Sequence, residues 1–312
     1  MEQTKTWRGS LLLLLTAMIW GAAFVAQSAG MDHIGPFTFN GLRMLLGALV
    51  LLPFLLAKRR RQAPGTRRQA PRAKRLLAGV LCGAALFAGS TLQQIGMTET
   101  TAGKAGFITA MYVVLVPLAG LALGHKQRAL VWVSVALAAV GMYLLCAGGE
   151  AGVSRGDLLV FAGAVGFAVH ILVIDHFSAD VDGIELSCLQ FFVSGVLGVV
   201  CMFLFEHPTL SGVADAWLPL AYAGVLSCGM GYTLQILGQR DVPPTVASLI
   251  LCLESVFSVV FSWLLLHERL TARELFGCAL ILAGILLAQL KGEAKLADDA
   301  EKAPQKQARE SA

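Results

Sequence analysis

Hydrophobic positions along this chain do not alternate or form stripes. They come in blocks of about twenty residues, separated by short polar islands. A helix needs roughly 20 apolar residues to cross a hydrocarbon layer of about 30 Å. Ten blocks meet that length, and the predicted spans are 10–28, 37–57, 76–96, 101–123, 129–147, 157–175, 184–205, 216–238, 244–266 and 272–290. Pro36 opens the second span, and Pro243 with Pro244 opens the ninth, where a missing N–H costs nothing. "TARE", Thr271 to Glu274, has capping-box spacing and starts the tenth. Pro117 predicts a kink in the fourth span that frees the Val113 carbonyl. The expected fold class is an all-α membrane protein with ten transmembrane helices.

Composition agrees with this pattern. Of 312 residues, 56% are hydrophobic and only 14% charged, whereas soluble domains are nearer a quarter charged. The net charge of +4 sits in the connections and carries no implication of nucleic acid. The first span resembles a signal peptide, with small residues in "VAQSAG", but nine further spans need no cleaved leader, so it is expected to be retained. Seven cysteines, none in a C-x-x-C pair, all fall in apolar blocks and read as buried thiols rather than disulfides or metal ligands. No cofactor is expected.

Lys and Arg set the direction of insertion. The connection 58–75, "KRRRQAPGTRRQAPRAKR", carries nine. With that segment on the cytoplasmic side, alternation places nineteen basic residues inside and three outside (Arg155, Arg269 and Arg273), so both termini are expected in the cytoplasm. The nine-charge connection reads as an anchor to the anionic inner leaflet. Residues 1–9 form the cytoplasmic N-terminus, and 291–312 read as a charged, disordered cytoplasmic tail.

Shifting the chain by 143 residues lays Gly141 on Gly284, Gly149 on Gly292, Glu150 on Glu293, and Leu121, Leu123 and Leu144 on Leu264, Leu266 and Leu287. This predicts two repeats, 10–148 and 156–290, of five spans each. An odd number of spans turns the second copy over, giving the inverted repeat of many secondary transporters, with a site near the midplane.

Five stretches carry a resemblance to a known family: "IWGAAF" at 19–24, "FTFNGLRMLLGALVLLP" at 37–53, "TAGKAGFITAMYVVLVP" at 101–117, "GYTLQILG" at 231–238, and "ASLILCLESVFSVVFSWLLLHERLTARELFGCALILAGI" at 247–285. In that order they resemble the EamA-type ten-helix members of the drug/metabolite transporter superfamily. The resemblance covers nearly everything except the basic connection and the tail. It implies transport of small organic molecules, amino acids or other metabolites, often outward across the plasma or inner membrane. The chain departs from the family where Ser255 stands in place of a frequent proline, which puts a kink in span nine in question.

Glu254 is the lone formal charge in "PTVASLILCLESVFSVVFSWLLL". An acid at a helix centre costs about 2.5–3.5 kcal/mol on insertion scales and usually faces a bundle interior. It is a candidate substrate or proton site. The alternative is a neutral carboxyl bonded to a neighbouring helix. Ser248, Cys252, Ser255 and Ser262 form a small polar stripe about 100° away. Arg43, in the outer part of span two, matches an arginine position common in the family and is read as a partner of Glu254 or of a substrate carboxylate. Lys104 either snorkels or enters the cavity. His170 is a hydrogen-bonded core residue or a proton relay. Trp20, Phe24, Tyr112 and Tyr232 are candidate cavity walls, and Asn40, Gln93 and Gln235 candidate polar contacts.

The expected function is secondary transport by alternating access, with a membrane enzyme acting on lipid-linked substrates, or a channel, as rivals. No phosphate-binding loop, H-E-x-x-H or serine-nucleophile motif is present, so no enzyme is expected. Expected partners are a small-molecule substrate and the bilayer, with proton coupling and a homodimer left open.

Overall fold

The computed structural model describes residues 2–61, 70–122, 129–146, 153–178, 180–242 and 244–289. Within them the chain is helical and has no strand. Lipid offers no hydrogen bonds to the backbone, so an all-helical solution is what a chain this apolar requires. Residues 62–69 of the basic connection and the tail after Gln289 lie outside the described residues.

Three long helices come first: α1 (Glu2–Met31), α2 (Pro36–Arg61) and α3 (Arg72–Gly96). The expected fourth span is two helices, α4 (Ala102–Thr109) and α5 (Tyr112–Ala122), followed by α6 (Ala129–Cys146). The interruption therefore lies at Ala110–Met111, upstream of Pro117. Tight i→i+3 bonds mark it, from Val113 N to Ala110 O at 3.1 Å and from Val114 N to Met111 O at 3.0 Å.

The second half begins with α7 (Arg155–Ser178) and α8 (Gly183–Phe205), then a short helix in the connection, α9 (Leu210–Asp215). The next apolar block is α10 (Trp217–Ala221), a π-helical stretch Tyr222–Tyr232, and α11 (Thr233–Gln239). It is followed by α12 (Pro244–Phe261), which ends in a second π-turn Ser262–Leu266, and by α13 (Ala272–Gln289). α12 is unbroken at Ser255; its irregularity comes at Ser262. The capping box forms as spaced: Thr271 N and Oγ1 donate to Glu274 at 2.7 and 2.8 Å, and Glu274 N donates back to Thr271 Oγ1 at 3.3 Å. Among the described residues, six helices are long and apolar enough to cross a membrane, and three shorter ones are apolar.

Close packing of small residues sets the helix pairs. α2 lies along α8, and a Cβ added at Gly198 would fall 2.6 Å from Gly41 Cα. The start of α2 bonds to the residue after α8 (Thr38 N to Glu206, 2.8 Å), and its end bonds to the residues opening α8 (Lys58 to Asp182, 2.5 Å). The two helices are therefore antiparallel. α6 and α13 cross in the same sense: Gly141 faces Gly277 O and Ile281, and Gly284 faces Ser134 O and Ala138. α3 packs on α7 and α8, while α1 packs on α12 and the π-helical stretch. Phe24, Met44, Leu86, Ile108, Phe167 and Phe191 belong to the main buried cluster at the centre of this arrangement.

Candidate functional site

A cavity of about 50 Å³ opens between the two halves. On this measure one water needs about 10–15 Å³, so the space holds a few waters, and it is well below the 300–1,000 Å³ of a typical ligand pocket. The cavity is constricted in this conformation.

Helical spacing on α1 presents Trp20, Ala23, Phe24 and Gln27 to it as one stripe. α2 contributes Arg43, α3 Gln93, and the α4–α5 interruption Thr109 and Tyr112. α7 adds Phe167, His170 and Ile171, the π-helical stretch adds Ser227 and Tyr232, α11 adds Gln235 and α12 adds Glu254. Of the residues singled out in the sequence, Trp20, Phe24, Arg43, Tyr112, His170, Tyr232, Gln235 and Glu254 share this one cavity, as does Gln93.

Asn40 and Ser255 do not line it. Asn40 lies behind Arg43 and fixes it: its Oδ1 accepts from Arg43 Nε at 3.0 Å, and its Nδ2 donates to Ser90 and Thr91, each at 2.9 Å. Arg43 also sits over the Phe39 ring, 5.8 Å from its centroid. Ser255 is fully buried and its hydroxyl donates to Cys252 O at 2.7 Å. That back-bond within its own helix satisfies it away from the cavity. Lys104 does not line the cavity either; its Nζ meets Glu274 at 3.1 Å.

Arg43 is 3% exposed and Glu254 3%. No ion pair joins them among the described residues. Gln27 Oε1 and Gln235 Oε1 are buried without a hydrogen-bond partner, and the Tyr112 hydroxyl and Glu254 carboxyl lie beside each other just outside hydrogen-bonding geometry. Burying such atoms unpaired costs about 1–3 kcal/mol each, more for a charge. The cavity therefore holds a guanidinium at one side, a carboxyl at another, and unfilled acceptors between aromatic walls. Those walls are ordered by contact: Trp20 and Tyr232 lie 4.5 Å apart, Phe191 and Tyr232 5.5 Å. His170 shares a 2.9 Å hydrogen bond with Gln190 and faces Tyr232 edge-on. Trp20 Nε1 donates to Ser227 O at 3.3 Å, tying α1 to the π-helical stretch.

Residue patterning alone passed over Gln27, Thr109, Phe167, Ile171 and Ser227. For Gln27 a signal existed, since it continues the Trp20–Phe24 face by one helical turn. For the others the lining position depends on which helices are neighbours. Among the described residues no three His, Cys, Asp or Glu side chains gather as a metal site.

Outside the spans, ion pairs flank the ends of α2 and α3. Burial pushes the Asp182 carboxyl up, but Lys58 beside it and a backbone bond hold it below the ordinary value of 3.8. The exposed Asp180 is likewise lowered by its hydrogen bond from Lys74.

The sequence matches the EamA-like transporter family over residues 7–147 and 154–290. A protein of Archaeoglobus fulgidus described as an uncharacterized transporter is 32% identical over 295 residues, 93% of this chain and 88% of that one. A protein of Streptantibioticus cattleyicolor described as a probable terminal-alkyne amino-acid exporter is 28% identical over 285 residues, 88% of this chain and 91% of that one. A solved crystal structure with 18% identity superposes at a TM-score of 0.68, covering 90% of this chain and 96% of that one, and so shares the fold.

Proposed function

We propose that this chain, which belongs to the EamA-like transporter family and with it to the drug/metabolite transporter superfamily, is a secondary transporter that carries a small zwitterionic metabolite by alternating access. The observation that carries this reading is a pair of buried ionisable side chains, Arg43 and Glu254, not bonded to each other in one aromatic-walled cavity. A molecule with a carboxylate for Arg43 and an ammonium for Glu254 and its neighbouring acceptors would satisfy both ends at once. The relative described as an amino-acid exporter is consistent with that chemistry.

We read ten crossings, five in each half, with the second half inverted. Support comes from the antiparallel pairing of α2 with α8, the second helices of the two halves. It comes equally from the crossing of α6 and α13, where Gly141 on Gly277 and Gly284 on Ser134 repeat one contact at the 143-residue offset read from the sequence. The excess of Lys and Arg in the 58–75 connection supports cytoplasmic termini and an inner- or plasma-membrane location. Glu254 is the group we assign to proton or substrate charge.

Reconstitution into proteoliposomes tests this. Internal leucine or phenylalanine is expected to accelerate uptake of the labelled compound, a counterflow that a channel does not give. In parent protein the amino-acid amide and the N-acetyl amino acid should compete at least about tenfold less well than the zwitterion, a loss of about 1.4 kcal/mol. Arg43→Gln should erase the preference over the amide, and Glu254→Gln the preference over the N-acetyl compound. Equal competition by all three in parent protein would refute the assignment.

A further inference from the structure

Polar ties join the halves near both ends of α2, and all but one of them follow one rule. The carboxylates come from residues 155–289 and the donors from residues 2–122. Where α2 ends and α3 begins, Lys58 meets Asp182 at 2.5 Å, Arg59 and Arg75 meet Glu185 at 3.0 and 3.3 Å, and Lys74 meets Asp180 at 2.6 Å. At the opposite end the donors are mainly backbone amides. Glu206 accepts from Phe37 N and Thr38 N, each at 2.8 Å, and from the Thr38 hydroxyl at 2.6 Å. Glu268 accepts from Ala102 N at 3.4 Å and Gly103 N at 3.3 Å and also contacts Ser262 Oγ. Glu274 pairs with Lys104 at this end. The exposed Arg155–Glu99 pair, 4.0 Å apart, runs the other way.

Towards each set of ties, next to a residue that lines the cavity, stand amide atoms buried without a partner. Towards the basic end, Gln235 Oε1 faces the cavity, and Gln239, one helical turn further along α11, has both amide atoms unpartnered. Towards the other end, Gln27 Oε1 faces the cavity, and Gln94, which donates to Gln27 O at 3.4 Å, keeps its own Oε1 unpartnered. Buried polar atoms in folded proteins are nearly always satisfied by protein or water. Two such rows, each ending at a set of ties, fit paths that water enters in another conformation.

We propose that the two sets of ties are gates of unlike chemistry. The Asp182/Glu185 lattice of side-chain ion pairs closes a Gln235–Gln239 path, and the Glu206/Glu268 caps on the starts of α2 and α4 close a Gln27–Gln94 path. The proposal rests on the alternating-access reading. It adds an asymmetry: salt screens the partly exposed ion pairs. Carboxylates held by fixed helix-start amides are screened less, so raised ionic strength opens the basic end selectively.

Two single-cysteine reporters in the full chain test the gates. Gln239→Cys and Gln94→Cys are reconstituted separately, and alkylation by a maleimide is quantified on the reporter's own peptide, so native cysteines do not contribute. Asp182→Asn with Glu185→Gln should accelerate labelling at position 239 by about tenfold and leave position 94 unchanged. Glu206→Gln with Glu268→Gln should do the reverse. Raising salt from about 0.1 M to about 1 M should accelerate position 239 alone. Asp182→Asn keeps a side-chain oxygen for the α8 cap, so unchanged labelling at position 94 in the same variant separates gating from misfolding. Either acid pair moving both reporters alike, or neither, overturns the proposal, as does salt acting equally at both. Selective labelling without counterflow would remove the transport reading and leave the gates standing. Counterflow without selective labelling would remove the gates alone.

Discussion

Asn40 shows how a single amide can set the chemistry of a cavity it does not touch. It holds the Arg43 Nε with its oxygen and is itself held by Ser90 and Thr91. Asn40→Ala should lower stability by about 1–3 kcal/mol, because it strands a buried guanidinium N–H and takes a donor from the Thr91 hydroxyl, while Ser90 keeps its bond to Leu86 O. Thermal unfolding in detergent measures that loss. It should also weaken the zwitterion more than its amide in the competition assay, a difference that general destabilisation would not produce. Arg43→Lys should not restore the parent preference, since a lysine ammonium has no Nε to accept the same orientation. Ser255 makes the complementary point: polar, buried and next in sequence to Glu254, it is satisfied by its own helix and faces away.

At the scale of elements, close helix approach depends on glycines whose surroundings leave no room. A Cβ at Gly41 would sit 2.9 Å from Val199 N and 3.0 Å from Gly198 C, both backbone atoms that cannot swing aside. Gly41→Ala should separate α2 from α8 and cost about 1–3 kcal/mol by overpacking. At Gly103 the nearest atom to an added Cβ is 3.6 Å away, so Gly103→Ala should unfold within a degree or two of the parent. The comparison of the two melting temperatures checks the geometry. The same scale explains the interrupted fourth span. Pro117 was the visible breaker, yet the chain breaks at Ala110–Met111, where tight turns bring Thr109 and Tyr112 to the cavity.

For the whole molecule, the ion pairs joining the halves carry a pH signature. Asp180 and Asp182 have lowered carboxyl pKa values in the folded protein, so the stability they contribute is full above the ordinary value of 3.8 and is lost as pH falls through the lower folded value. Asp182→Asn should therefore melt below the parent at pH 7, and the gap should close as the pH is brought below 3.8. Asparagine keeps a side-chain oxygen for the α8 cap, where Ile184 N donates at 3.1 Å, so a gap independent of pH would mean that the Asp182 charge does not act through Lys58.

How much was legible beforehand differs by kind of information. Block length and charge asymmetry are properties of the chain in a bilayer, where each segment meets lipid nearly alone; apolar runs and polar breaks therefore marked the helices, and the offset between like glycines pointed to duplication. Glu254 and Arg43 were conspicuous because a charge in such a segment is costly wherever it goes. Which atoms those charges would meet is a matter between helices. Ser255, on a polar stripe about 100° from Glu254, was as much a cavity candidate, while Thr109 and Ser227 looked ordinary, and only the packing of α1, α4, α12 and the π-helical stretch separated them. A sequence specifies each helix's own faces through a fixed period, but the facing partner comes from another part of the chain, and its distance depends on how closely the glycines let the backbones approach.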